Sequence, residues 1–352
     1  MQRAQRKLEH IKFALETGFG PGSTHFEDIR FIHNCLPEIN PADIVLSADL
    51  FGKMLKAPFL IDAITGGTDA VTDVNRKLAE VAGKTGIAMA VGSQYGSVKT
   101  GVGRNSYIVV REMNPAGIIF ANISALATPQ QAQDAVNMIE ADALEIHLNP
   151  AQELVMPEGD KCFRGFLDNM LLIRDKVDVP IIVKETGCGI AQEAYKILAD
   201  NGFTFFDCAG SGGTNFPAIE AKRADVDLEE LAFWGNPTAW SVLDAAATLD
   251  CECFLIASGG IDSAAKAVKA FALGADMVGM SGVILKLLSK QGTEAAVAFI
   301  EKLQTALSDY MLLLGCQHVK ELREVPMIFC GQTKDFIQCR DYDLVNLSKK
   351  RR

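Results

Sequence analysis

Short apolar stretches and longer amphipathic stretches alternate about eight times along the chain. The apolar stretches are nearly continuous in hydrophobicity, as expected of parallel strands covered on both faces. They lie at 59–62, 87–92, 118–122, 144–149, 180–185, 203–208, 254–258 and 276–281, with helical periodicity between them, for example at 71–85, 130–140, 189–201 and 263–273. This alternation predicts an α/β protein of the (β/α)8 TIM barrel class. No GxGxxG motif follows the first strand, which argues against an open dinucleotide-binding sheet.

The length of the chain fits one large barrel with additions at both ends. Its 352 residues do not require a division into independent domains, so we expect a single domain over 1–352. The barrel strands would occupy about 59–281, after an N-terminal segment over 1–58 and before a C-terminal helical extension over 289–352.

Charge and cysteine content narrow the kind of partner and the compartment. A net charge of −10 disfavours nucleic acid as the main partner. No apolar stretch reaches the length that spans a bilayer, and the charged N-terminus lacks the apolar core of a secretory signal. Nine cysteines without paired spacing are typical of reduced thiols. We therefore expect a cytoplasmic protein that binds neither nucleic acid nor membrane.

The fourth apolar stretch ends in a cluster of polar side chains. Its alternation places His147 and Asn149 on one face of a strand, and Pro150 ends that strand just before Gln152 and Glu153. Barrel active sites form at the carboxyl ends of the strands, where these groups lie. Single polar residues at a strand end often only cap a loop, but four together favour a functional site.

The last two predicted strands end in turns suited to an anion. Ser258-Gly259-Gly260 and Met280-Ser281-Gly282 each precede a predicted helix. Glycine lets the backbone approach an anion closely, and a helix N-terminus offers N–H groups with a partial positive charge. A glycine pair alone is also compatible with a plain tight turn. Two such turns at the seventh and eighth strands predict a phosphate site, where many barrels hold one.

Lys184 interrupts the apolar stretch at 180–185. A buried lysine is costly unless an anion or an electron-rich ring meets it, so the alternatives are an ion pair with a carboxylate and a contact with a bound flavin. In the second case Thr65, Ser93, Asn122 and Thr214, all near predicted strand ends, could meet the remaining flavin edge.

Six short motifs together carry a family resemblance. They are Arg6-Lys7-x-Glu9-His10, Thr65-Gly66-Gly67, Gly92-Ser93-Gln94, His147-x-Asn149-x-x-Gln152-Glu153, Trp234-Gly235-x-Pro237-Thr238 and Ala257-Ser258-Gly259-Gly260. In this order, from about Arg6 to Leu287, they resemble type 2 isopentenyl-diphosphate isomerase, the flavin-dependent isomerase of isoprenoid synthesis. The resemblance implies FMN, Mg²⁺, NADPH as reductant of the flavin, and a homotetramer or larger assembly. It also implies isopentenyl and dimethylallyl diphosphates as substrate and product.

The same resemblance implies roles for individual residues. Arg6 and Lys7 would hold the diphosphate from the N-terminal segment, and Glu153 would hold Mg²⁺. His147, Asn149, Ser93 and Gln94 would complete the diphosphate site, and Gln152 would act with His147 and Asn149 in catalysis, lying against the isoprenoid. The FMN contacts would be Ala63, Ile64, Thr65, Ser93, Asn122, Lys184 and Thr214, with Gly259, Gly260, Met280 and Ser281 around the phosphate.

Three positions depart from the usual family pattern. Asp262 stands where a basic residue is common after Gly-Gly-Ile, which puts one phosphate contact in doubt. Tyr95 replaces an arginine after Ser-Gln, so Lys99 is a candidate for that charge. Ile64 replaces a methionine and keeps its apolar bulk.

The chemistry explains why a reaction without net oxidation would need a flavin. Moving a double bond requires adding a proton at one carbon and removing one from another, and an alkene is a poor base. Gln152 does not titrate and Glu153 would bind the metal, whereas a reduced flavin can supply the proton. Two alternatives stay open. One is a flavin oxidoreductase of the hydroxy-acid oxidase type, which would want a His/Arg pair at the flavin; the other is a non-catalytic flavin- or phosphate-binding barrel.

Overall fold

Eight parallel strands close into a barrel at the centre of the molecule. The computed structural model describes residues 22–226 and 231–349, together with Glu9, Lys12, Phe13 and Leu15. In chain order the strands are β1 (Ile29–Phe31), β2 (Ala48–Leu50), β3 (Lys53–Leu55), β4 (Phe59–Ile61), β5 (Ala88–Ala90), β6 (Ile119–Ser124), β7 (Ala143–Leu148), β8 (Ile181–Glu185), β9 (Phe205–Asp207), β10 (Phe254–Ala257), β11 (Met277–Met280) and β12 (Met327–Phe329). Strands β4 to β11 pair in sequence order, and β11 pairs with β4. The predicted TIM barrel is confirmed.

Helices follow most of the barrel strands and form the outer layer. In chain order they are α1 (Thr72–Thr85), α2 (Tyr95–Thr100), α3 (Asn105–Met113), α4 (Pro129–Ile139), α5 (Pro150–Val155), α6 (Phe166–Lys176), α7 (Gln192–Asp200), α8 (Phe216–Ala224), α9 (Thr238–Thr248), α10 (Ala264–Leu273), α11 (Gly282–Gln291), α12 (Thr293–Leu314), α13 (Gly331–Cys339) and α14 (Leu344–Lys349). In the described part of the chain, no helix combines the length and apolarity needed to cross a membrane.

The side chains of the barrel strands divide between two cores. Residues on the outer face, such as Ile146 and Val183, pack in the large core that includes residues of the helices. Residues on the inner face, such as Phe120 and Ile182, form a smaller core inside the barrel. The hairpin of β2 and β3 contributes Leu50, Phe51 and Leu55 to this inner core. The apolar filling leaves the carboxyl ends of the strands for polar groups.

The N-terminal and C-terminal segments meet beside the barrel. Strand β1 pairs antiparallel with β12, with Ile29 opposite Phe329. The Asp28 carboxylate accepts hydrogen bonds from the backbone N–H of Thr333 at 3.0 Å and from its hydroxyl at 3.1 Å. The same hydroxyl accepts a bond from Trp240 Nε1 on α9 at 3.1 Å, so both segments are fixed to a helix of the barrel.

Candidate active site

One cavity of about 390 Å³ opens at the carboxyl ends of the barrel strands. This volume lies within the range of small-molecule and cofactor sites. Most residues predicted from the sequence line it, namely Ala63, Ile64, Ser93, Asn122, His147, Asn149, Gln152, Glu153, Lys184, Thr214, Gly259, Gly260, Met280 and Ser281. Their individual roles stay predictions, but the structure brings them to one place.

Two predicted side chains do not line the cavity, and two predicted residues cannot be placed. Gln94 is fully buried: its Nε2 donates to the Ala135 carbonyl at 2.9 Å, and its Oε1 accepts from the backbone N–H of Asn122 at 3.0 Å. This corrects the prediction of a substrate contact for the Gln94 side chain. Thr65 is also buried and is absent from the cavity wall. Arg6 and Lys7 lie outside the described residues.

The glycine turns after β10 and β11 form one wall of the cavity. Gly259 and Gly260 have φ angles of 101° and 71°, and a Cβ atom on either would lie 2.1 or 2.2 Å from a carbonyl oxygen of the 210–212 turn. Only glycine fits both the angle and the close approach. Helix α11 begins at Gly282, and no side chain caps its N-terminus. Because Ser281, Gly282 and Val283 line the cavity, the first amides of this helix lie beside it.

Two of the three departures from the family pattern have a visible structural setting. Asp262 pairs with Lys266 at 3.0 Å, and the Lys266 ammonium donates to the Gly260 carbonyl at 2.9 Å. A lysine thus stands beside the phosphate turn although position 262 is acidic. Tyr95 lines the cavity, and the exposed Lys99 holds its Nζ 5.7 Å from the centre of the Tyr95 ring.

The polar cluster after β7 is tied together by hydrogen bonds. Asn149 Nδ2 donates to Gln152 Oε1 at 3.1 Å and to Glu153 Oε1 at 3.0 Å. The backbone N–H of Asp160 donates to Glu153 Oε2 at 2.9 Å. These bonds fix the orientation of both side chains while the Glu153 carboxylate, with about four lone-pair sites, keeps capacity for a cation.

Gln152 has a buried partner that the sequence analysis did not identify. Its Nε2 donates to Glu220 Oε1 on α8 at 2.9 Å, and the other Glu220 oxygen accepts from Arg223 Nε at 2.7 Å. Arg223 also bonds Glu158 at 2.6 Å. Glu220 is completely buried, and the ion pair with Arg223 compensates its charge. The hydrogen bond from Gln152 to Glu220 fixes the orientation of the Gln152 amide.

Lys184 lies between two carboxylates beneath the cavity. Its ammonium is 2.9 Å from Asp62 Oδ2 and 2.6 Å from Asp207 Oδ2, and all three groups are buried. Asp207 also accepts from the Ser258 hydroxyl at 2.5 Å. The alternative of an ion pair for Lys184 is therefore realised, and the residue lines the cavity as well.

Burial and the interactions between Lys184 and its neighbouring carboxylates shift the pKa values of these residues. Burial raises the pKa of Asp207 to about 6, although Lys184 opposes the shift. Burial alone would lower the pKa of Lys184, but Asp207, Asp62 and Glu145 together raise it well above its usual value. Lys184 is therefore charged, and it is the cation that holds these carboxylates in a dry interior.

A third carboxylate, Glu145, begins a chain of hydrogen bonds to the cavity. Its Oε2 accepts from Asn122 Nδ2 at 2.7 Å, and Asn122 Oδ1 lies 2.8 Å from His147 Nδ1. Glu145 Oε1 is buried and has no hydrogen-bond partner among the residues that the structure describes. His147 and Asn122 both line the cavity, whereas Glu145 lies behind them.

In the described part of the chain, one group of three carboxylates is compact enough for a metal ion, and it does not include Glu153. It consists of Asp62, Glu145 and Asp207, with oxygens within 4.8 Å of one another. The Lys184 ammonium already supplies a cation there. Glu153 offers one carboxylate at the cavity wall, which fits Mg²⁺ that completes its coordination with substrate phosphates and water.

Asp62 and Asp207 could have been recognised from the sequence as residues that need a partner. Each is an acidic residue at the end of an apolar strand, where a charge demands a partner. Glu220 had no such signal, because an acidic residue on an amphipathic helix normally faces solvent.

Comparisons with known proteins agree on one family. A family model described as FMN-dependent dehydrogenase matches residues 168–327. Proteins named isopentenyl-diphosphate delta-isomerase are 44% identical in Moorella thermoacetica, covering 96% of this chain and 97% of the relative, and 38% identical in Staphylococcus haemolyticus, covering 97% and 98%.

Solved structures of mandelate oxidase share the fold. One with benzoyl-formic acid has a TM-score of 0.67 at 17% identity and covers 94% of this chain and 97% of that chain. Another, described with a monooxide FMN adduct, has a TM-score of 0.64 at 18% identity and covers 91% and 92%. At this identity the likeness concerns the barrel and not the reaction.

Proposed function

Since the chain belongs to the isopentenyl-diphosphate delta-isomerases of the FMN-dependent type, we propose that the cavity at the barrel mouth is where it interconverts isopentenyl and dimethylallyl diphosphates. One observation carries this assignment. The glycine turns after β10 and β11 and the polar cluster after β7 line the same cavity, which supports a cofactor phosphate at the turns and a second anion at the polar cluster.

The residues present fit FMN. The phosphate would lie at Gly259, Gly260 and the N-terminus of α11, where amides and helix dipole favour an anion. Lys184 would meet the flavin ring with a charge held in place by Asp62 and Asp207. Reduced FMN supplies, when bound, an acid and base for proton transfer in a site closed to water. Ala63, Ile64, Thr214 and Met280 would complete the pocket.

The substrate diphosphate needs cations and donors outside the flavin phosphate wall. His147, Asn149 and Ser93 supply them from the strand ends that line the cavity, and Arg6 and Lys7 would add two charges from the N-terminal segment. Several charge-assisted contacts anchor the diphosphate and so hold the alkene in one position, which converts binding energy into orientation.

Glu153 would bind Mg²⁺ together with the diphosphate. A hard cation prefers charged oxygen, and Mg²⁺ typically takes one or two carboxylates plus substrate phosphates. The hydrogen bonds from Asn149 and the Asp160 backbone hold the Glu153 carboxylate at the cavity wall. Glu153 would thereby hold a cation that offsets part of the diphosphate charge.

Gln152 would position the isoprenoid. Its amide is oriented at both ends, by Asn149 and by Glu220, and an amide does not titrate at physiological pH. Its contribution is therefore to fix the substrate carbon chain against the flavin, whereas His147 and Asn149 act on the diphosphate end.

The reductant and the assembly state are further parts of the proposal. NADPH would reduce the flavin once, since the reaction itself consumes no electrons. A homotetramer or larger homo-oligomer would cover apolar surface such as Phe233 and Trp234, which are 68% and 62% exposed.

The oxidoreductase alternative has less support. A hydroxy-acid oxidase would need an arginine beside the histidine to hold a substrate carboxylate. Among the described residues that line the cavity, the basic side chains are His147 and Lys184, and Lys184 is occupied by two carboxylates.

The proposed function predicts catalysis that depends on reduced flavin but does not consume reductant. FMN-loaded protein should convert isopentenyl diphosphate to dimethylallyl diphosphate under anaerobic conditions once NADPH or dithionite has bleached the flavin. Product should exceed the added reductant by at least about a hundredfold, because the proton carrier is regenerated in each turnover. Full activity with oxidised flavin, or one product per reductant, would contradict the proposal.

Lys7→Ala should weaken use of the substrate without loss of FMN. A charge-assisted contact to phosphate contributes roughly 1.5–3 kcal/mol, so kcat/KM should fall about ten- to a hundredfold. Steady-state kinetics and the flavin absorption of the same preparation measure both effects.

Lys12→Ala is the matched control, because it removes a lysine from the same segment and no role in the site is proposed for it. We expect it to retain kcat/KM. If Lys7→Ala is as active as Lys12→Ala, then Arg6, Lys7, Glu9 and His10 form only a solvated helix face.

A further inference from the structure

Glu145 is a buried carboxyl group with only one hydrogen-bonded oxygen among the described residues. It is completely buried on β7, and one carboxylate oxygen accepts a single amide hydrogen bond from Asn122. The other oxygen has no hydrogen-bond partner within the described part of the chain. A buried ionised carboxylate normally needs a cation or several donors, and this one has a single neutral donor.

The two neighbouring carboxylates are better compensated. Both Asp62 oxygens accept hydrogen bonds, from Lys184 at 2.9 Å and from the backbone N–H of Ala63 at 2.6 Å. Asp207 accepts from Lys184, from the Ser258 hydroxyl and from the backbone N–H of Ala209. The oxygens of all three acids lie within 4.8 Å of one another. With one lysine for three acids, full ionisation would bury a net charge of about −2, which is relieved when one acid keeps its proton.

Of the three acids, Glu145 has the geometry that best suits a retained proton. It makes no hydrogen bond to the lysine, and its second oxygen is available to carry hydrogen. Burial raises the pKa of Glu145 well above its usual range, and the charges of Asp62 and Asp207 add to the shift, whereas Lys184 opposes it. A neutral Glu145 still offers a carbonyl-type oxygen to Asn122.

The bond from Asn122 to Glu145 determines how Asn122 faces His147. Because the Asn122 amide nitrogen donates to Glu145, its oxygen is directed at His147 Nδ1, 2.8 Å away. An amide oxygen accepts only, so Nδ1 must carry hydrogen. In the neutral ring, Nε2 is then the unprotonated nitrogen, and a second proton can be added only there.

We propose that Glu145, held neutral, is a positioning residue that acts through Asn122 to keep His147 in the Nδ1–H tautomer. The imidazole thereby presents Nε2 as the nitrogen that takes up a proton and donates to an anion at the cavity. The inference rests on the proposed function only for the identity of that anion, the substrate diphosphate.

Two spectroscopic measurements on FMN-loaded protein without substrate test the hydrogen-bond chain from Glu145 through Asn122 to His147. Infrared spectra of protein carrying ¹³C-labelled glutamate should contain an isotope-shifted carboxylic-acid band that disappears in Glu145→Gln. The spectra are taken at about pH 8.5, because Glu185, whose pKa burial raises to about 7, is then mostly ionised. Nitrogen NMR of ¹⁵N-labelled histidine, with His147 assigned among the five histidines by its loss in His147→Gln, gives the tautomer.

Two neutral substitutions of Glu145 separate the need for a hydrogen-bond acceptor from the need for a charge. Glu145→Gln keeps an oxygen for Asn122 without a charge, so it should retain the Nδ1–H tautomer and kcat/KM within about threefold. Glu145→Leu removes the acceptor, frees the Asn122 amide to turn over, and should give mixed tautomers and a loss of about tenfold or more in kcat/KM.

Several results would overturn the inference. They are a wild-type protein without the acid band, an Nε2–H tautomer in the wild type, or a Glu145→Gln variant as impaired as Glu145→Leu. If Glu145→Leu does not fold, the comparison of wild type with Glu145→Gln still decides, since both measurements apply to it. A protein that shows the carboxylic-acid band and the Nδ1–H tautomer but has no isomerase activity would refute the proposed function. The inferred hydrogen-bond chain from Glu145 to His147 would still stand.

Discussion

Replacing Lys184 by methionine should cost the protein its flavin, about 3–5 kcal/mol of unfolding free energy and more than about 1,000-fold in activity. The substitution keeps most of the length of the side chain and removes the ammonium that lies between Asp62 and Asp207. Two buried carboxylates would then repel each other without a cation. Urea unfolding, flavin absorption after gel filtration and isomerase kinetics measure the three losses.

A surface lysine provides the matched control for this substitution. Lys196 pairs with Asp200 at 3.2 Å, and its side chain is 70% exposed, so Lys196→Met should change stability by no more than about 0.5 kcal/mol. Adding Asp207→Asn to Lys184→Met should restore part of the stability and none of the flavin binding. A Lys184→Met variant with the wild-type unfolding midpoint would show that the cluster does not depend on this cation.

Replacing Glu153 by glutamine should abolish the dependence on Mg²⁺ and lower activity by roughly 100- to 1,000-fold while FMN stays bound. The amide has the same shape and can keep a hydrogen bond from Asn149, but it lacks the charge that a hard cation requires. Activity is measured across a Mg²⁺ titration, and the flavin spectrum is recorded on the same samples.

Asp168→Asn serves as the control for the loss of one acidic group. Asp168 is exposed in the first turn of α6 and is not part of the cavity wall, so its Mg²⁺ titration should match the wild type. If Glu153→Gln also gives a wild-type titration, the metal binds elsewhere, and the Glu153 carboxylate only holds the 149–160 loop through the Asp160 backbone.

The barrel could be predicted from the sequence because its strands are buried on both faces. The predicted runs 144–149 and 254–258 match the observed β7 and β10 to within one residue at each end. The pairing of β1 with β12 could not be predicted, since each strand has three residues and they lie at opposite ends of the chain. Periodicity identifies strands but does not say which distant strand supplies the partner.

The sequence predicted that the site lies at the strand ends, but it did not indicate which side chains pair with one another there. The sequence indicated that Lys184 needs a partner, but the partners come from β4 and β9, and only the register of the barrel brings them together. Gln94 shows the opposite error. It lies between β5 and α2 and suits a polar site, yet its Nε2 donates to the Ala135 carbonyl on α4.

The β1–β12 pair sets the order in which the molecule can be completed during synthesis. Every barrel strand leaves the ribosome before β12 exists, so the barrel can close while β1 still lacks its partner. Contacts between residues so far apart in sequence carry the largest loop-closure cost and form late. Strand β1 therefore gains its partner strand only after the whole barrel has been synthesised. In a ribosome-stalled chain lacking β12, the barrel should be closed and β1 should be more accessible to proteases than in the full-length protein.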